Sequence, residues 1–493
     1  MHGEQRRRFT KDFTVRRVRA LRPGIEKLIT QLLDEVERAG PPADLVSAFA
    51  LPDQRGLLSR FGRVETHRRG HFGGLPVDFG VLPGALEATK TIPQARTEQV
   101  LEEWCEQLGA LVRRGHELLS FTDDGDAVRA EVRTPGGGAQ FSARYLVGCD
   151  GGRSRVREVG GFAFPGTPAT TEMFLADVEG LDLPPRPLGE ILPQGMVMVS
   201  PLPGGRTRLI LGERLAPPRR RTGPPAFAEV VAGWRRVTGQ DIAHAEPVWV
   251  SSFGDAARLV SEYRRGRVLL AGDACHVHLP AGGQGMNTSI QDAVNLGWKL
   301  AAVVQGRAPE ALLDTYHDER YPVGQRLITS TRAQGLLGEQ AQPLRDVLSE
   351  LIGYEEVSRH LAAMVSGLEI RYDTGGGDHP LLGYRMPNVE LLVPGPAAPH
   401  RRSTAELLRS GRGVLLDLAD DPALRSSAAA WGDRVDVVTA APRDGDVLAG
   451  TAALLIRPDG HVAWADPGSR DDLPTTLRKW FGPCARQPAR GRS

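Results

Sequence analysis

The chain of 493 residues is long enough for roughly two to four domains with large buried cores. Its 41% apolar and 25% charged residues are typical of a globular protein and argue against a disordered or fibrous one. The 61 Lys and Arg nearly balance the 60 Asp and Glu, and the net charge of +1 disfavours nucleic-acid binding.

The cysteines and the apolar runs exclude further classes of protein. Cys105, Cys149, Cys275 and Cys484 are far apart, without CxxC or Cys/His metal spacing, which argues against a disulfide framework and a zinc site. No apolar run reaches the length of about 18 residues that a membrane span needs, and the basic N-terminus lacks a signal-peptide core. The sequence therefore predicts a cytoplasmic protein that binds no metal and has no membrane partner.

Residues 1–52 differ in character from the rest of the chain. Residues 1–22 are rich in arginine, and residues 25–39 place apolar side chains on one face of a predicted helix. A Gly-Pro-Pro sequence ends that helix. The pattern fits either a packing helix of the main domain or an interaction arm.

Beyond residue 60, short β-branched runs alternate with helical patterns. The predicted strands are Val128–Val132, Ala143–Gly148, Phe174–Val178, Met196–Val199, Thr207–Leu211, Val248–Ser251 and Val268–Ala271. The predicted helices are Thr97–Leu108, Met286–Val304 and Leu344–Gly367. Alternating apolar and polar positions in several strands indicate an antiparallel sheet with one buried face. The runs that end before Asp150 and Asp273 are continuously apolar and indicate fully buried strands.

The chain after Pro387 reads as a small separate α/β domain. Its predicted strands are Gly413–Leu418, Val435–Thr439, Ala452–Ile456 and His461–Trp464, the last preceded by a turn at Pro458-Asp459-Gly460. Together with the preceding elements this predicts a mixed α/β (α+β) fold.

The strongest chemical signal lies in residues 267–287. A buried strand ends at Asp273, and a Pro/Gly loop then opens into a long helix. A carboxylate at a strand end accepts hydrogen bonds from ribose or polyol hydroxyls, glycines allow close approach of a flat ligand, and a helix N-terminus stabilises an anion such as a reduced flavin. The candidate binding residues are Asp273, Gly283, Gln284, Gly285, Met286 and Asn287.

Two weaker signals accompany it. Asp150 and Gly151 follow another buried strand and are followed by several arginines, although an Asp-Gly-Gly sequence by itself is equally consistent with a structural turn. Gln94 lies at the start of a predicted helix. Cys275, His276 and His278 lie together, but without partner ligands elsewhere they are interpreted as filling the loop.

At these motifs the chain resembles the single-component FAD-dependent aromatic hydroxylases, related in fold to para-hydroxybenzoate hydroxylase. Gly272-Asp273 with residues 282–287 resembles the second FAD motif of that family, and residues 149–154 resemble its Asp-Gly motif. Gln94 falls at the position of the flavin-side glutamine. Residues 71–76 and 284–292 are most similar to hydroxylases of bacterial aromatic polyketide pathways, especially those acting on angucyclinones.

The resemblance, which runs from about residue 53 to the end, implies a domain organisation. Residues 53–170 and 256–385 would form a Rossmann-like FAD-binding domain, residues 171–255 an antiparallel substrate-binding sheet, and residues 388–493 a thioredoxin-like domain. The only cysteine of that last domain is Cys484, so it carries no redox CxxC.

The resemblance also implies a reaction. NADPH would reduce FAD, O2 would add to the reduced ring, and the flavin hydroperoxide would transfer an OH group to a phenolic ring of an aromatic polyketide. Asp273 would bind the ribityl chain, the backbone of 285–287 would stabilise charge on the flavin, and Asp150 and Gly151 would serve FAD and NADPH. No catalytic side chain is assigned, because the chemistry belongs to the flavin.

One expected motif is absent from the start of the chain. The family begins with a strand, a GxGxxG turn and a helix that hold the FAD diphosphate, whereas residues 1–60 contain no such motif. Residues 1–52 instead resemble an interior fragment of a bacterial haem-thiolate monooxygenase, with His2 and Arg6 at HxxxR spacing. A fusion joined near Leu51 to Asp53 is therefore inferred, either a natural recombinant, a shuffled cluster gene or an error of sequence assembly.

This absence affects the expected activity. Without the diphosphate-binding unit, the sequence predicts weak or no affinity for isolated FAD. The alternative function is a non-catalytic remnant, or an interaction partner of an intact hydroxylase.

Overall fold

The computed structural model describes residues 43–44, 50–62, 64–82, 89–92, 94–202, 204–214, 217–219, 221, 223–338, 341–395, 398–443 and 447–484. The predicted helix at 25–39 and the HxxxR pair lie outside these residues. The described residues divide into two compact units, one within residues 1–45, 65–289 and 324–365 and the other within residues 46–64, 290–323 and 366–493.

Among the described residues before residue 160, most of the elements are short strands. Its elements are β1 Ala43–Asp44, α1 Ala50–Gln54, β2 Glu65–His67, β3 Arg69–Phe72, β4 Leu75–Asp78, β5 Thr89–Ile92, α2 Gln94–Leu108, β6 Glu117–Asp123, β7 Val128–Thr134, β8 Gly137–Ala143, β9 Leu146–Gly148 and α3 Arg155–Val159. Strands β6–β8 form an antiparallel meander, and β7 alternates buried and exposed residues as its sequence predicts.

Among the described elements, the largest sheet and the longest helices lie in the middle of the chain. Its elements are β10 Gly166–Thr167, β11 Glu172–Glu179, β12 Arg186–Leu192, β13 Gly195–Leu202, β14 Arg206–Glu213, α4 Phe227–Thr238, β15 Glu246–Gly254, β16 Ala257–Leu259, β17 Arg264–Arg265, β18 Val268–Leu270, β19 His276–Val277, α5 Gln284–Val304, α6 Asp314–Gly335, α7 Gln342–Ile352 and α8 Glu355–Ser366. None of the described helices combines the length and the apolar character needed to cross a bilayer.

The five-stranded antiparallel sheet has the order β12-β13-β14-β11-β15. Every second residue of β11 and β14, including Phe174 and Leu211, joins Val230 and Trp234 of α4 in one apolar core. Trp234 is fully buried there. The period of two therefore gives the sheet one face covered by α4 and a second face that carries the intervening residues.

The second unit ends in a four-stranded mixed sheet. The elements of the C-terminal part are β20 Glu390–Val393, β21 His400–Ser403, α9 Thr404–Leu407, β22 Gly413–Asp417, α10 Pro422–Ala428, β23 Val435–Thr439, β24 Ala441–Pro442, β25 Ala453–Ile456, β26 Val462–Asp466 and α11 Leu473–Phe481. The sheet order is β23-β22-β25-β26, with β22 and β23 parallel and the other pairs antiparallel. Along the chain, β22, α10 and β23 form a parallel βαβ unit, and β25, β26 and α11 form an antiparallel ββα unit.

A buried ion cluster also belongs to the second unit. Glu319 accepts hydrogen bonds from Lys299 Nζ at 2.8 Å and from Arg457 Nη2 at 2.9 Å, and Arg457 pairs with Asp459 as well. The side chains of Lys299 and Arg457 are fully buried. Replacing one charged side chain of such a cluster strongly destabilises the fold, because the remaining charges stay buried without a partner.

The mixed α/β fold class with antiparallel sheets is confirmed. Two predicted elements were wrong. The predicted helix Leu344–Gly367 is two helices, α7 and α8, separated at Gly353, where the low helix propensity of glycine favours a break. The predicted strand Ala143–Gly148 is also divided, because Ala143 pairs with β7 whereas Leu146 pairs with β18.

Candidate functional site

Two parallel strands bring the strongest sequence motifs together. Strand β9 pairs with β18 so that Leu146 lies beside Val268 and Gly148 beside Leu270. The carboxyl ends of parallel strands meet at one edge of a sheet, where ligands of α/β proteins bind. Asp150 and Asp273 follow these two ends, so the structure places both predicted motifs at the same edge.

Asp150 is already engaged by protein donors. It accepts hydrogen bonds from Ser154 Oγ at 2.5 Å and from the Val156 backbone N–H at 2.9 Å. These contacts fix the start of α3, and the Gly151 φ of 78° permits the turn before it. The Asp150 carboxylate therefore shapes the turn. Since Ser154 and Arg157 donate to the carbonyls of Gly151 and Gly152, the backbone N–H groups of these glycines are the part of this motif that remains for a ligand.

Arg157 connects the two motifs. Its Nη2 donates to the Gly152 carbonyl at 2.7 Å, and its Nη1 donates to the Ala274 carbonyl at 3.0 Å, 117 residues away. The guanidinium fork suits such paired acceptors. Arg157 is one of the arginines that follow Asp150 in the sequence, and no pattern there indicates that it holds the Asp273 turn.

Asp273 lies in a short 3₁₀ turn, Gly272–Ala274, and is half-buried. Its Oδ1 lies 3.4 Å from Ser289 Oγ, which donates to it from the second turn of α5. One long hydrogen bond leaves acceptor capacity on this carboxylate, which has two oxygens and several lone pairs. The side chain is therefore positioned at the strand edge to accept hydroxyl donors.

The glycine loop, residues 280–283, leads into the N-terminus of α5. Gly282 has a φ of 71°, and a Cβ there would lie 3.3 Å from Gln284 Nε2. Gln284 is 6% exposed, and its Nε2 has no hydrogen-bond partner. A buried amide donor without a partner is costly, so this one indicates a site for an external acceptor.

The remaining predicted residues of this loop lie in the first turn of α5. Asn287 is buried and donates from Nδ2 to the Gly283 carbonyl at 3.4 Å, while Gly285 and Met286 are half-buried. The early backbone N–H groups of a helix lack intrahelical partners and carry the positive end of the helix dipole. The segment 284–287 can therefore stabilise negative charge on a ligand.

His278 is a site residue that sequence analysis treated as loop filling. Its ring lies over Gly285, where a Cβ would be 3.3 Å from Nε2, and its Nδ1 lies 2.7 Å from the Leu279 carbonyl. Burial lowers the pKa of His278 to about 4, so the ring is neutral at neutral pH. The carbonyl contact assigns the proton to Nδ1 and leaves Nε2 as an acceptor beside Gly285.

The side-chain hydrogen bond of Gln94 does not connect this predicted site residue to the Asp150 and Asp273 motifs. It lies at the start of α2 and donates from Nε2 to Glu98 Oε1 of the same helix at 2.8 Å. Cys275 and His276 are fully buried. Within the described part of the chain, no group of three His, Cys, Asp or Glu side chains could hold a metal ion.

Comparison with known proteins decides the family. Residues 47–331 match the FAD binding domain family, and residues 379–484 match the family of aromatic-ring hydroxylase C-terminal domains. The chain is 38% identical over 477 residues to 12-dehydrotetracycline 5-monooxygenase/anhydrotetracycline 6-monooxygenase of Streptomyces rimosus, an alignment that covers 91% of this chain and 94% of that protein. The chain belongs to the FAD-dependent aromatic-ring hydroxylases.

Solved structures of this hydroxylase family have the same fold. CabE, described as an aromatic hydroxylase from angucycline biosynthesis, is 56% identical with a TM-score of 0.89, and BexE is 60% identical with a TM-score of 0.87. Both comparisons cover 94% of this chain and 98% of the other. The predicted family and the predicted class, a flavin-dependent monooxygenase, are therefore confirmed.

The residues present in this hydroxylase fit the flavin end of FAD. The unpartnered Gln284 amide, the close glycine loop and the N-terminus of α5 suit a flat ring that carries negative charge. Asp273 suits a hydroxyl-bearing chain. The GxGxxG unit that would hold the diphosphate is not among the described residues, so the fit covers the flavin and the ribityl chain.

Proposed function

We propose that this enzyme hydroxylates an aromatic polyketide, an angucyclinone, with FAD as cofactor, NADPH as reductant and O2 as oxidant. The observation that carries the proposal is the unpartnered Gln284 amide at the start of α5, the helix whose Ser289 hydrogen-bonds to Asp273. The angucycline relation of CabE supports the substrate class. Since NADPH would be the reductant, we propose a cytoplasmic location.

The proposed binding roles follow from the groups at the strand edge. Asp273 would accept hydrogen bonds from the ribityl hydroxyls, and the backbone of Gly283, Gln284, Gly285, Met286 and Asn287 would hold the ring and stabilise its negative charge. Bound FAD would supply the electron transfer and the oxygen activation. Gly151 would approach the cofactor through its backbone, Asp150 would hold that turn, and Gln94 would contact the flavin side.

The second face of the five-stranded sheet is the proposed floor for the substrate. Met173 on β11 and Met196 on β13 flank Gly212 on β14, where a Cβ would lie 3.3 Å from Met173 Cγ and 3.4 Å from Met196 Cγ. Both methionines are half-buried. Flexible, polarizable thioethers around a glycine suit a flat apolar ring system. The proposal also includes the predicted domains: residues 53–170 and 256–385 for FAD, residues 171–255 for the substrate, and residues 388–493 as a thioredoxin-like domain.

The test is a titration of the purified full chain with FAD, followed by flavin fluorescence, so that weak binding is also detected. We expect saturable quenching, bleaching of the bound flavin by NADPH, and an angucyclinone product that has gained one oxygen atom. Asp273→Ala should abolish the quenching by removing the acceptor for the ribityl hydroxyls.

The matched control is Asp182→Ala, which changes an exposed aspartate of the same unit. It should titrate like the unchanged chain. A chain that shows no quenching at any FAD concentration would overturn the proposal and favour a non-catalytic remnant. The dissociation constant for FAD from the same titration also tests whether the affinity is weak, as the absence of the GxGxxG motif predicts.

A further inference from the structure

A buried glutamine on α6 lies between two segments of the first unit. The first segment is the turn between β3 and β4, residues 71–74, and the second is the glycine loop, against which β3 packs. Gln334 is 4% exposed, and its Oε1 accepts a hydrogen bond from the Gly73 backbone N–H at 3.0 Å. Its Nε2 donates to Ser330 Oγ at 3.3 Å, which fixes the amide orientation.

The same oxygen borders the glycine loop. A Cβ at Gly282 would lie 3.3 Å from Gln334 Oε1 and 3.3 Å from Gln284 Nε2. The amide of Gln334 therefore limits how closely the loop approaches α6, while it holds the 71–74 turn on its other side. Because Gln284 carries the unpartnered donor of the site, a shift of this loop would move that donor as well.

Two further residues restrict the position of Gly73. Arg345 Nη1 donates to the Gly73 carbonyl at 2.7 Å and to the Leu337 carbonyl at 2.9 Å. A Cβ at Gly73 would lie 2.6 Å from Leu337 Cδ1. The Gly73 N–H is thus bound by Gln334 of α6, and the Gly73 carbonyl is bound by Arg345 of α7. These bonds fix the position of the 71–74 turn beside the glycine loop.

We propose that Gln334 is a positioning residue of the flavin site, which sets the glycine loop and the Gln284 amide against the 71–74 turn. This inference rests on the proposed function, because it assigns Gln334 a role toward the bound flavin. Gln334 acts through Gly73 and Gly282 and is not a catalytic residue. No pattern in the sequence relates positions 73, 282 and 334.

Two substitutions of Gln334 distinguish the loss of its hydrogen bond to Gly73 from the effect of a charge beside the glycine loop. Gln334→Met keeps the length of the side chain but leaves the Gly73 N–H without its acceptor, so FAD should bind about 10-fold more weakly. Gln334→Glu keeps an acceptor for Gly73 but introduces a negative charge beside the loop. Since that charge disfavours a reduced, anionic flavin, the flavin reduction potential should fall in Gln334→Glu and stay unchanged in Gln334→Met.

Hydrogen exchange of the full chain without FAD gives a second readout. Gln334→Met should speed exchange in residues 69–78 and 279–289, because both segments lose their common support. Gln325→Met is the matched control, since it changes an exposed glutamine of the same helix and should leave exchange in both segments unchanged.

The outcomes separate this inference from the proposed function. Faster exchange confined to α6, or equal FAD affinity and potential in all variants, would overturn the role of Gln334 while the hydroxylase assignment stands. An unchanged chain that never binds FAD would overturn the proposed function and the flavin role of Gln334 together. Weaker FAD binding in Gln334→Met, with a lowered potential only in Gln334→Glu, would support both.

Discussion

Gly212 is the residue at which the proposed substrate floor is most sensitive to size. Its hydrogen faces the gap between Met173 and Met196, and its neighbours along β14 pack against α4. Val at this position would push the methionine side chains toward the space above the sheet, because well-packed surroundings absorb added methyl groups only by moving.

Gly212→Val is therefore expected to raise KM for a polycyclic substrate about 10-fold and to leave the FAD dissociation constant unchanged, as measured by steady-state kinetics and by flavin titration. The fold should lose about 1–3 kcal/mol of stability from overpacking. Met196→Leu, which conserves volume, should change KM less than twofold. An unchanged KM in Gly212→Val would place the substrate elsewhere.

At the level of single residues, the sequence identified the groups whose neighbours in the chain reveal their role. Asp273 was found because it directly follows an apolar run and precedes a glycine loop. His278 was assigned to loop filling, because its position over Gly285 depends on the course of the intervening loop. The positions of the glycines in the sequence do not indicate which side chain the backbone of the folded loop will approach.

At the level of elements, α4 packs against the large sheet, and Trp234 is the largest side chain that it buries there. Trp234 is in the core shared by β11, β13 and β14. Trp234→Ala should lower the free energy of unfolding by about 3–5 kcal/mol, because it removes a large apolar side chain and leaves a cavity that the sheet fills only partly. Urea unfolding followed by far-ultraviolet circular dichroism measures the change.

The control for this helix is Arg235→Ala. Arg235 pairs with Asp241 at the surface, where the two side chains are 60% and 52% exposed, so the change should stay within about 0.5 kcal/mol. A similar loss in both variants would mean that α4 acts through its surface and not through Trp234.

Elements with a clear period were predicted well. Strand β23 has the predicted bounds Val435–Thr439, and β11 extends the predicted Phe174–Val178 by a few residues. The single helix predicted at Leu344–Gly367 was wrong, because the apolar spacing continues on both sides of Gly353 although the backbone does not. Hydrophobic periodicity reports which residues face the core and does not report a local break.

For the whole molecule, buried histidines contribute to the dependence of stability on pH. Burial lowers the pKa of His461 to about 4 and that of His278 to about 4, and it also lowers the pKa of His71 and of His379. In the unfolded chain these histidines become protonated near pH 6.5, whereas in the folded chain they stay neutral down to lower pH. The free energy of unfolding therefore falls as the pH decreases from about 6.5 toward 4. His461 alone contributes a loss on the order of 3 kcal/mol across this range.

Glu319 extends the loss to lower pH. Burial alone would raise the pKa of Glu319, but Arg457 and Lys299 outweigh it and lower the pKa to about 2. Its stabilising charge is therefore complete above about pH 4.5 and is lost as the pH falls toward 2. Urea midpoints measured at pH 7.5, 5.5 and 4.5 should decrease in order, and His461→Phe should flatten the dependence. A constant midpoint would contradict the assignment of neutral buried histidines.

The mixed fold class, the family and the strand-Asp-loop-helix segment could be predicted from the sequence, because they depend on local period and on residues close together in the chain. The contacts of Arg157 with Ala274, of Gln334 with Gly73 and of Arg457 with Glu319 became visible only in the folded chain. Each of these three contacts joins residues more than a hundred positions apart. Which of them meet depends on how strands pair and helices pack, and no local pattern records that outcome.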